Sequence, residues 1–284
     1  KACLKSANTP GKDNKIRPDV DPYIAKGYIP LGYFAQDFSG DNSVSHALEY
    51  YVADNALALL SDKLAQEAKN SAQKAEYQKY AKEFRKRSKG WRHYYSKESG
   101  TLRPLNSNGT FLSPFNPKDG ADFSNTPGFH EGSAWNYTFY VPHDIEGLAK
   151  AMGGDKAFVA KLQKVFDEGL YDPANEPDIA YPFLFSRFKG EEHRTAQTVA
   201  ALLKKYYTTR PDGIPGNDDT GVMSAWAVFS MIGMYPDCPG EPQYTLFSPV
   251  FDSVEINGKY VIRKDQKIKK YRITHQEFVR DYAK

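Results

Sequence analysis

The feature that most constrains this chain is a rhythm in which helical periodicity alternates with long polar or proline-rich connections. Over residues 46–64 apolar side chains recur at Leu48, Tyr51, Val52, Ala56 and Leu59, with Ser43 or Ser45 in position to cap the helix. A highly polar second helix is predicted over 72–87, after a weak break at 66–71. Further helices are expected over 141–152, ended by Gly153-Gly154, over 155–168 with Asp155 as cap, over 191–207, and from Val222 onward. Between the second and third lies 91–127, rich in Gly, Pro, Ser and Asn, and a connection of that length in a compact domain usually serves a function. No repeat is visible in residue identity. Paired helices with long loops are compatible with a toroid of helical hairpins whose loops gather at one end, and a plain bundle remains open at this level. Past Pro239 the pattern changes to short alternating segments, Tyr244-Thr-Leu-Phe, Ser253-Val-Glu-Ile and Tyr260-Val-Ile, around the hairpin signal Asn257-Gly258.

Charge and composition remove several classes. A net charge of +3 on 284 residues is too small for a nucleic-acid binder, and the basic clusters at 79–92 and 259–272 read as solvated faces. No apolar run approaches the roughly 18 residues of a membrane span. Lys1-Ala-Cys-Leu-Lys-Ser lacks the apolar core of a secretory leader. Two cysteines, Cys3 and Cys238, are too few for a disulfide scaffold, though they could pair with each other. The six histidines show no HxH or HxxxH spacing, which argues against a transition-metal site. Aromatics stand out at 14% of the chain, and exposed rings would offer faces to sugars.

Three segments carry groups suited to chemistry. In Gly213-Ile-Pro-Gly-Asn-Asp-Asp-Thr-Gly221, two adjacent carboxylates stand at the mouth of the helix carrying Val222, Ala225, Trp226 and Phe229. One acid, or Thr220, can cap that helix, and the second then awaits a proton, a cation or a hydroxyl. In Gly128-Phe-His-Glu-Gly-Ser-Ala-Trp-Asn-Tyr-Thr-Phe-Tyr-Val-Pro-His-Asp144, Glu131 is set among the aromatic residues Phe129, Trp135, Tyr137, Phe139 and Tyr140. Such surroundings would desolvate it and raise its pKa, as a general acid requires. In Asp172-Pro-Ala-Asn-Glu-Pro-Asp178, two prolines stiffen a turn bearing Asn175 and Glu176, oxygen donors that suit a hard cation. On residues alone, a surface turn, a non-catalytic glycan-binding module and another helical-toroid glycosidase or lyase stay open.

Taken in order, several blocks resemble glycoside hydrolase family 92. They are Gly27-Tyr-Ile-Pro30, Ser43-Val-Ser-His-Ala-Leu-Glu-Tyr50, His130-Glu-Gly-Ser-Ala-Trp-Asn-Tyr137, Tyr140-Val-Pro-His-Asp-Ile-Glu-Gly-Leu148, Asn175-Glu-Pro-Asp-Ile-Ala-Tyr-Pro182 and Asp212-Gly-Ile-Pro-Gly-Asn-Asp-Asp-Thr-Gly221 with Met223-Ser-Ala-Trp226. The resemblance covers residues 1–251, and the tail over 263–284 matches poorly. It implies a mainly α fold, an incomplete (α/α)6-type helical toroid over 1–238 with a small β appendage over 239–284, lacking the family's N-terminal β-sandwich partner domain. It also implies a calcium-dependent, inverting exo-α-mannosidase of bacterial periplasm, cell surface or secretions, acting on mannose-containing glycans. Carried over by motif, Glu131 resembles the general acid and Asp219 the general base, assisted by Asp218. Trp135, His143, Asp144 and Asn217 would line or brace the sugar pocket, and Asn175, Glu176 and Asp219 would surround calcium. Inversion requires a protonated carboxyl opposed to a carboxylate about 6.5–9.5 Å away, with water between.

Overall fold

A computed structural model describes residues 1–11, 14–33, 40–124 and 126–284. Its contacts divide the chain into two units, Lys1–Gly154 and Asp155–Lys284. In the first, short helices α1 (Ala2–Asn8) and α2 (Val20–Lys26) precede a long hairpin of α3 (Ser43–Gln66) and α4 (Ser71–Arg87). The break between α3 and α4 is made by Asn70, whose extended backbone lets its side chain accept from Gln73 N–H and cap α4. At the start of α3 neither serine acts as a side-chain cap. Ser43 N–H donates to Asp41 Oδ1 at 3.0 Å, and the N–H groups of Val44 and Ser45 both donate to Gly128 O, at 2.9 and 3.1 Å. A distant loop thus satisfies donors that every helix start leaves open.

Helices α1 and α2 went unread in the sequence because seven residues cannot display a period. A buried polar cluster fastens α2 to α3: Arg17 pairs with Asp54 at 2.7 Å, and Tyr23 Oη donates to Asp54 Oδ2 at 2.8 Å. Burial pushes the Asp54 carboxyl up, opposed by the Arg17 charge. After α4 come a 3-10 turn (Ser88–His93) and a two-residue ladder of β1 (Tyr95–Ser96) with β2 (Thr101–Leu102). Then follow α5 (Ala134–Thr138), a 3-10 turn (Pro142–Asp144) and α6 (Ile145–Met152). The helix expected from 141 begins only at Ile145, with Pro142 in a separate tighter turn ahead of it.

The second unit opens with α7 (Asp155–Asp167), a 3-10 stretch (Tyr181–Arg187), α8 (Glu192–Tyr206) and α9 (Val222–Ile232). Strands β3 (Met234–Tyr235) and β4 (Gln243–Leu246) follow, then β5 (Ser253–Ile256) and β6 (Tyr260–Arg263), β7 (Arg272–Thr274) and helix α10 (His275–Asp281). The Asn257-Gly258 signal is realised: both residues have positive φ, 54° and 68°, and they join β5 to β6 with Ile256 opposite Tyr260. An antiparallel sheet in the order β3-β4-β7 lies over Met234, Leu246, Ile262, Ile273 and Phe278, against which Phe229 and Ile232 of α9 also pack. The side chain of Asp237 is fully buried and accepts from Arg187 Nε at 3.0 Å and Thr245 Oγ1 at 3.1 Å, with Arg272 Nε 3.7 Å away. The tail is therefore an integral part of this unit. Its last helix carries a capping box between Thr274 and Glu277.

Candidate active site

Glu131 sits on a loop whose backbone is held on both flanks. His130 N–H donates to Ser45 Oγ at 2.9 Å, and Tyr137 Oη donates to His130 O at 2.6 Å. On the other flank Gly120 lies so close that a Cβ there would stand 2.4 Å from Gly132 O, and Ser133 begins α5 with a capping box to Asn136. Between these anchors Glu131 has φ 49°, left-handed backbone that a residue with a Cβ adopts at a cost. Its side chain is 61% exposed, with His130 Nε2 3.7 Å from Oε1. The apolar setting expected for this carboxyl is not what the fold provides. Phe129, Trp135, Tyr137 and Phe139 are all buried, at 1–5% exposure, and form the core beneath the loop instead of a cover over it.

The same packing revises the roles of its neighbours. Trp135 is 4% exposed, so it braces the wall and presents no face to a sugar; all three tryptophans of the chain are buried. His143 Nε2 lies 2.8 Å from Ser88 O, and Asp144 accepts from Trp91 Nε1 at 3.0 Å while pairing with Arg92 at 2.6 Å. Both residues tie the Pro142–Asp144 turn to the one at Ser88–His93, which is a bracing role.

The second unit holds the Asp-Asp loop. Asp218 is committed: Oδ1 accepts from Ser224 N–H at 2.9 Å and Oδ2 from Ser224 Oγ at 2.5 Å, so this carboxylate caps α9. Those two hydrogen bonds, the hydroxyl's first, hold its pKa below the usual carboxylate range. Thr220 follows in left-handed backbone at φ 53°, an uncommon state for a β-branched residue, and Gly221 repeats it at 85°. Asp219 is exposed, and its side chain makes no hydrogen bond or ion pair among the described residues. One acid therefore serves the helix and leaves the other available. Behind them Tyr207 stacks on Trp226, ring centres 5.4 Å apart, and burial followed by the Asp218 charge pushes its hydroxyl up to about 12.

The turn at 172–178 is stiffened by hydrogen bonds as well as prolines. Asp178 Oδ2 accepts from Asp172 N–H at 2.9 Å, and Asp172 Oδ1 accepts from Ala174 N–H at 2.8 Å. It lies against the Asp-Asp loop, because a Cβ on Gly216 would meet Ala174 Cβ at 2.6 Å. Asn217, Asp219 and Glu176 are exposed, and Asn175 is buried. These donors are all oxygen, the type a hard cation takes. Among the described residues, however, no three His, Cys, Asp or Glu side chains converge. Oxygen donors are the kind calcium takes, but among the described residues these do not assemble into a ligand set. Sequence reading gave Ser45 and Tyr137 other parts, as a helix cap and a neighbouring aromatic, and missed Gly120 and Gly216, whose parts depend on contacts with segments further along the chain.

Residues 1–282 match the glycosyl hydrolase family 92 catalytic domain. The chain belongs to glycosyl hydrolase family 92. Membership extends past the expected limit at 251 and takes in the tail. A family 92 α-mannosidase from Bacteroides thetaiotaomicron, solved in complex with mannoimidazole, superposes with a TM-score of 0.78 at 24% identity, over 94% of this chain and 38% of that one. An inverting family 92 mannosidase from the same organism gives 0.80 at 23% identity, over 98% of this chain and 41% of that one. The fold is thus that of the family 92 catalytic domain, mainly α and of the helical-toroid class, with the β appendage described above. A protein of Arthroderma benhamiae named an uncharacterized secreted glycosidase is 28% identical over 281 residues, 90% of this chain and 34% of that protein. The chain spans between a third and about two-fifths of the length of these relatives.

Proposed function

We propose that this family 92 chain carries the acid and the base of an inverting, calcium-assisted exo-α-mannosidase that removes terminal α-linked mannose from glycans outside the cell. The observation that carries the reading is the pair of exposed carboxylates on constrained loops. Glu131 is itself left-handed, and Asp219 directly precedes left-handed Thr220. Non-glycine residues held in that region cost of order 1–3 kcal/mol each and gather at functional sites. Glu131, protonated, gives its proton to the glycosidic oxygen as the C1–O bond breaks. Asp219 takes a proton from a water that attacks C1 from the opposite face, so β-mannose is the first product. A substrate seated over Glu131 supplies the apolar cover that the aromatic core beneath it does not. Calcium at Asn175, Glu176 and the Asn217 to Asp219 loop would chelate adjacent sugar hydroxyls and favour a flattened ring. The mannosidase relatives and the secreted name of the Arthroderma protein support this reading.

The test is hydrolysis of a 4-nitrophenyl α-mannoside followed by proton NMR of the anomeric signals, with and without chelator. Early β-mannose, loss of rate on chelation, and falls of about 10²–10⁴-fold for Asp219→Asn, and for Glu131→Gln on substrates with poorer leaving groups, are expected. Early α-mannose, or unchanged rates in both variants, would show the assignment to be wrong.

A further inference from the structure

The positive charge of this chain is concentrated in its tail. Residues 259–284 hold nine Lys and Arg against three Asp and Glu, a net charge of +6 where the whole chain has +3, so everything before them is net negative. Part of that charge is neutralised in the fold. Lys270 pairs with Glu277 at 2.7 Å, Arg272 with Glu241 at 2.7 Å, Arg280 with Asp281 at 2.6 Å and Lys284 with Glu255 at 2.6 Å. Arg263, Lys264, Lys267 and Lys269 are exposed and make no ion pair among the described residues. Lys264 Nζ donates only to a neutral acceptor, Val250 O at 3.4 Å.

These four cations edge two hollows of the second unit. One, of about 300 Å³, is lined by buried Leu246, Phe247 and Ile262 and by Arg263, Lys264 and Lys267. The other, of about 420 Å³, is lined by Lys267, Lys269, Lys270 and Arg280, and its one acid among the described residues, Asp281, is already paired with Arg280. Gln266, Lys267 and Tyr282 line both, so the hollows adjoin. Half-buried Tyr271 belongs to the first, and Tyr282 between them rests on Phe278 with ring centres 5.1 Å apart.

We infer that the two hollows dock an acidic glycan, with its carboxylate or sulfate groups at Arg263, Lys264, Lys267 and Lys269 and its pyranose rings against Tyr271 and Tyr282. Unpaired cations gathered in one place repel one another, and a bound anion relieves them. Three of the four are lysines, point charges on flexible stems that accept a carboxylate or a sulfate without a fixed fork geometry. A tyrosine joins an apolar ring to a polar tip, which suits a sugar with its C–H face and hydroxyls. The apolar lining of the first hollow has no counterpart in a phosphate backbone, which is why a glycan is favoured over nucleic acid. The class of ligand follows from family membership and the hollows themselves, and owes nothing to the roles of Glu131 and Asp219.

Calorimetric titration of the chain with polygalacturonate, dextran sulfate and neutral dextran is the test. Binding of either acidic polymer is expected, the stronger one naming the anion, with none of neutral dextran. Raising the salt from about 0.01 to about 1 M shortens the Debye length from about 30 to about 3 Å and should release the polymer. Replacing Lys264, Lys267 and Lys269 together by Gln should weaken binding at least about tenfold, whereas Lys79→Gln, Lys82→Gln and Lys86→Gln together should weaken it less than about twofold. Those three α4 lysines are also exposed and without ion pairs among the described residues, so the two variants have the same net charge and differ only in where it was removed. Equal weakening in both variants, no binding of either acidic polymer, or a DNA duplex bound as tightly as the polysaccharides would overturn the site. The measurement involves no turnover, so an inactive chain that binds keeps the site, and an active chain that does not bind loses it while the mannosidase reading stands.

Discussion

Gly120→Ala tests whether the Glu131 loop is built by contact or by its own sequence. Two costs can be worked from the structure. Gly120 has φ 87°, and an alanine there loses about 1–2 kcal/mol to left-handed backbone. Its new Cβ would stand 2.4 Å from Gly132 O and 2.7 Å from Thr126 Cγ2, so the Gly132 carbonyl must retreat by about 1 Å to reach ordinary contact. Overpacking of that kind adds about 1–3 kcal/mol, for a total of about 2–5 kcal/mol. Glu131 is the residue before that carbonyl, and a misplacement of about 1 Å can reduce a rate about 10²-fold. Urea unfolding and disaccharide kinetics read the two effects separately. The control is Gly109→Ala, with φ 82° and its nearest neighbour 3.8 Å away, which should show the backbone cost of about 1–2 kcal/mol and no loss of rate. If Gly120→Ala lost stability but kept the rate of Gly109→Ala, the proposed mechanical link between Gly120 and Glu131 would be refuted.

Two further predictions concern titration. The folded pKa of Asp218 lies below its unfolded value of about 3.9, so its cap stabilises fully above that pH and the gain is lost as pH falls through the folded value. The stability gap between wild type and Ser224→Ala should accordingly be present at pH 6 and shrink at pH 3; a gap of equal size at both would remove the cap from Asp218. Burial pushes the Cys238 thiol up, with Glu241 and Asp237 adding to it, whereas Cys3 is exposed, and both thiols are free. A thiol reagent at pH 8 should titrate Cys3 quickly and Cys238 only in denaturant, and rapid reaction of both would contradict the packing around Asp237.

What could be read in advance was local. The period of α3, the helix after Gly221 and the Asn257-Gly258 hairpin each sit within a short window, and periodicity or turn chemistry specified them. The division of labour between Asp218 and Asp219 was legible as an excess, two acids where a helix needs one, but not as an assignment, since the choice depends on where Ser224 points. The surroundings of Glu131 were misjudged. Neighbouring aromatics in sequence say nothing about which side of the backbone they occupy, and here they went below the loop. Trp135, His143 and Asp144 were read as lining or bracing the sugar pocket, and burial with the ties to Ser88, Trp91 and Arg92 favours the bracing alternative, which depends on contacts no short window of sequence contains. The tail was underestimated because the partners of Asp237 come from three separated segments, at Arg187, Thr245 and Arg272.

The bond from His130 N–H to Ser45 Oγ joins residues 85 apart, and the start of α3 also takes its acceptor from Gly128. Closing so wide a circuit is slow compared with winding a helix. During refolding, helical signal should therefore return before Glu131 has its working geometry. For some interval the chain would look native to circular dichroism while being chemically silent, and activity would mark the moment the long circuit closes.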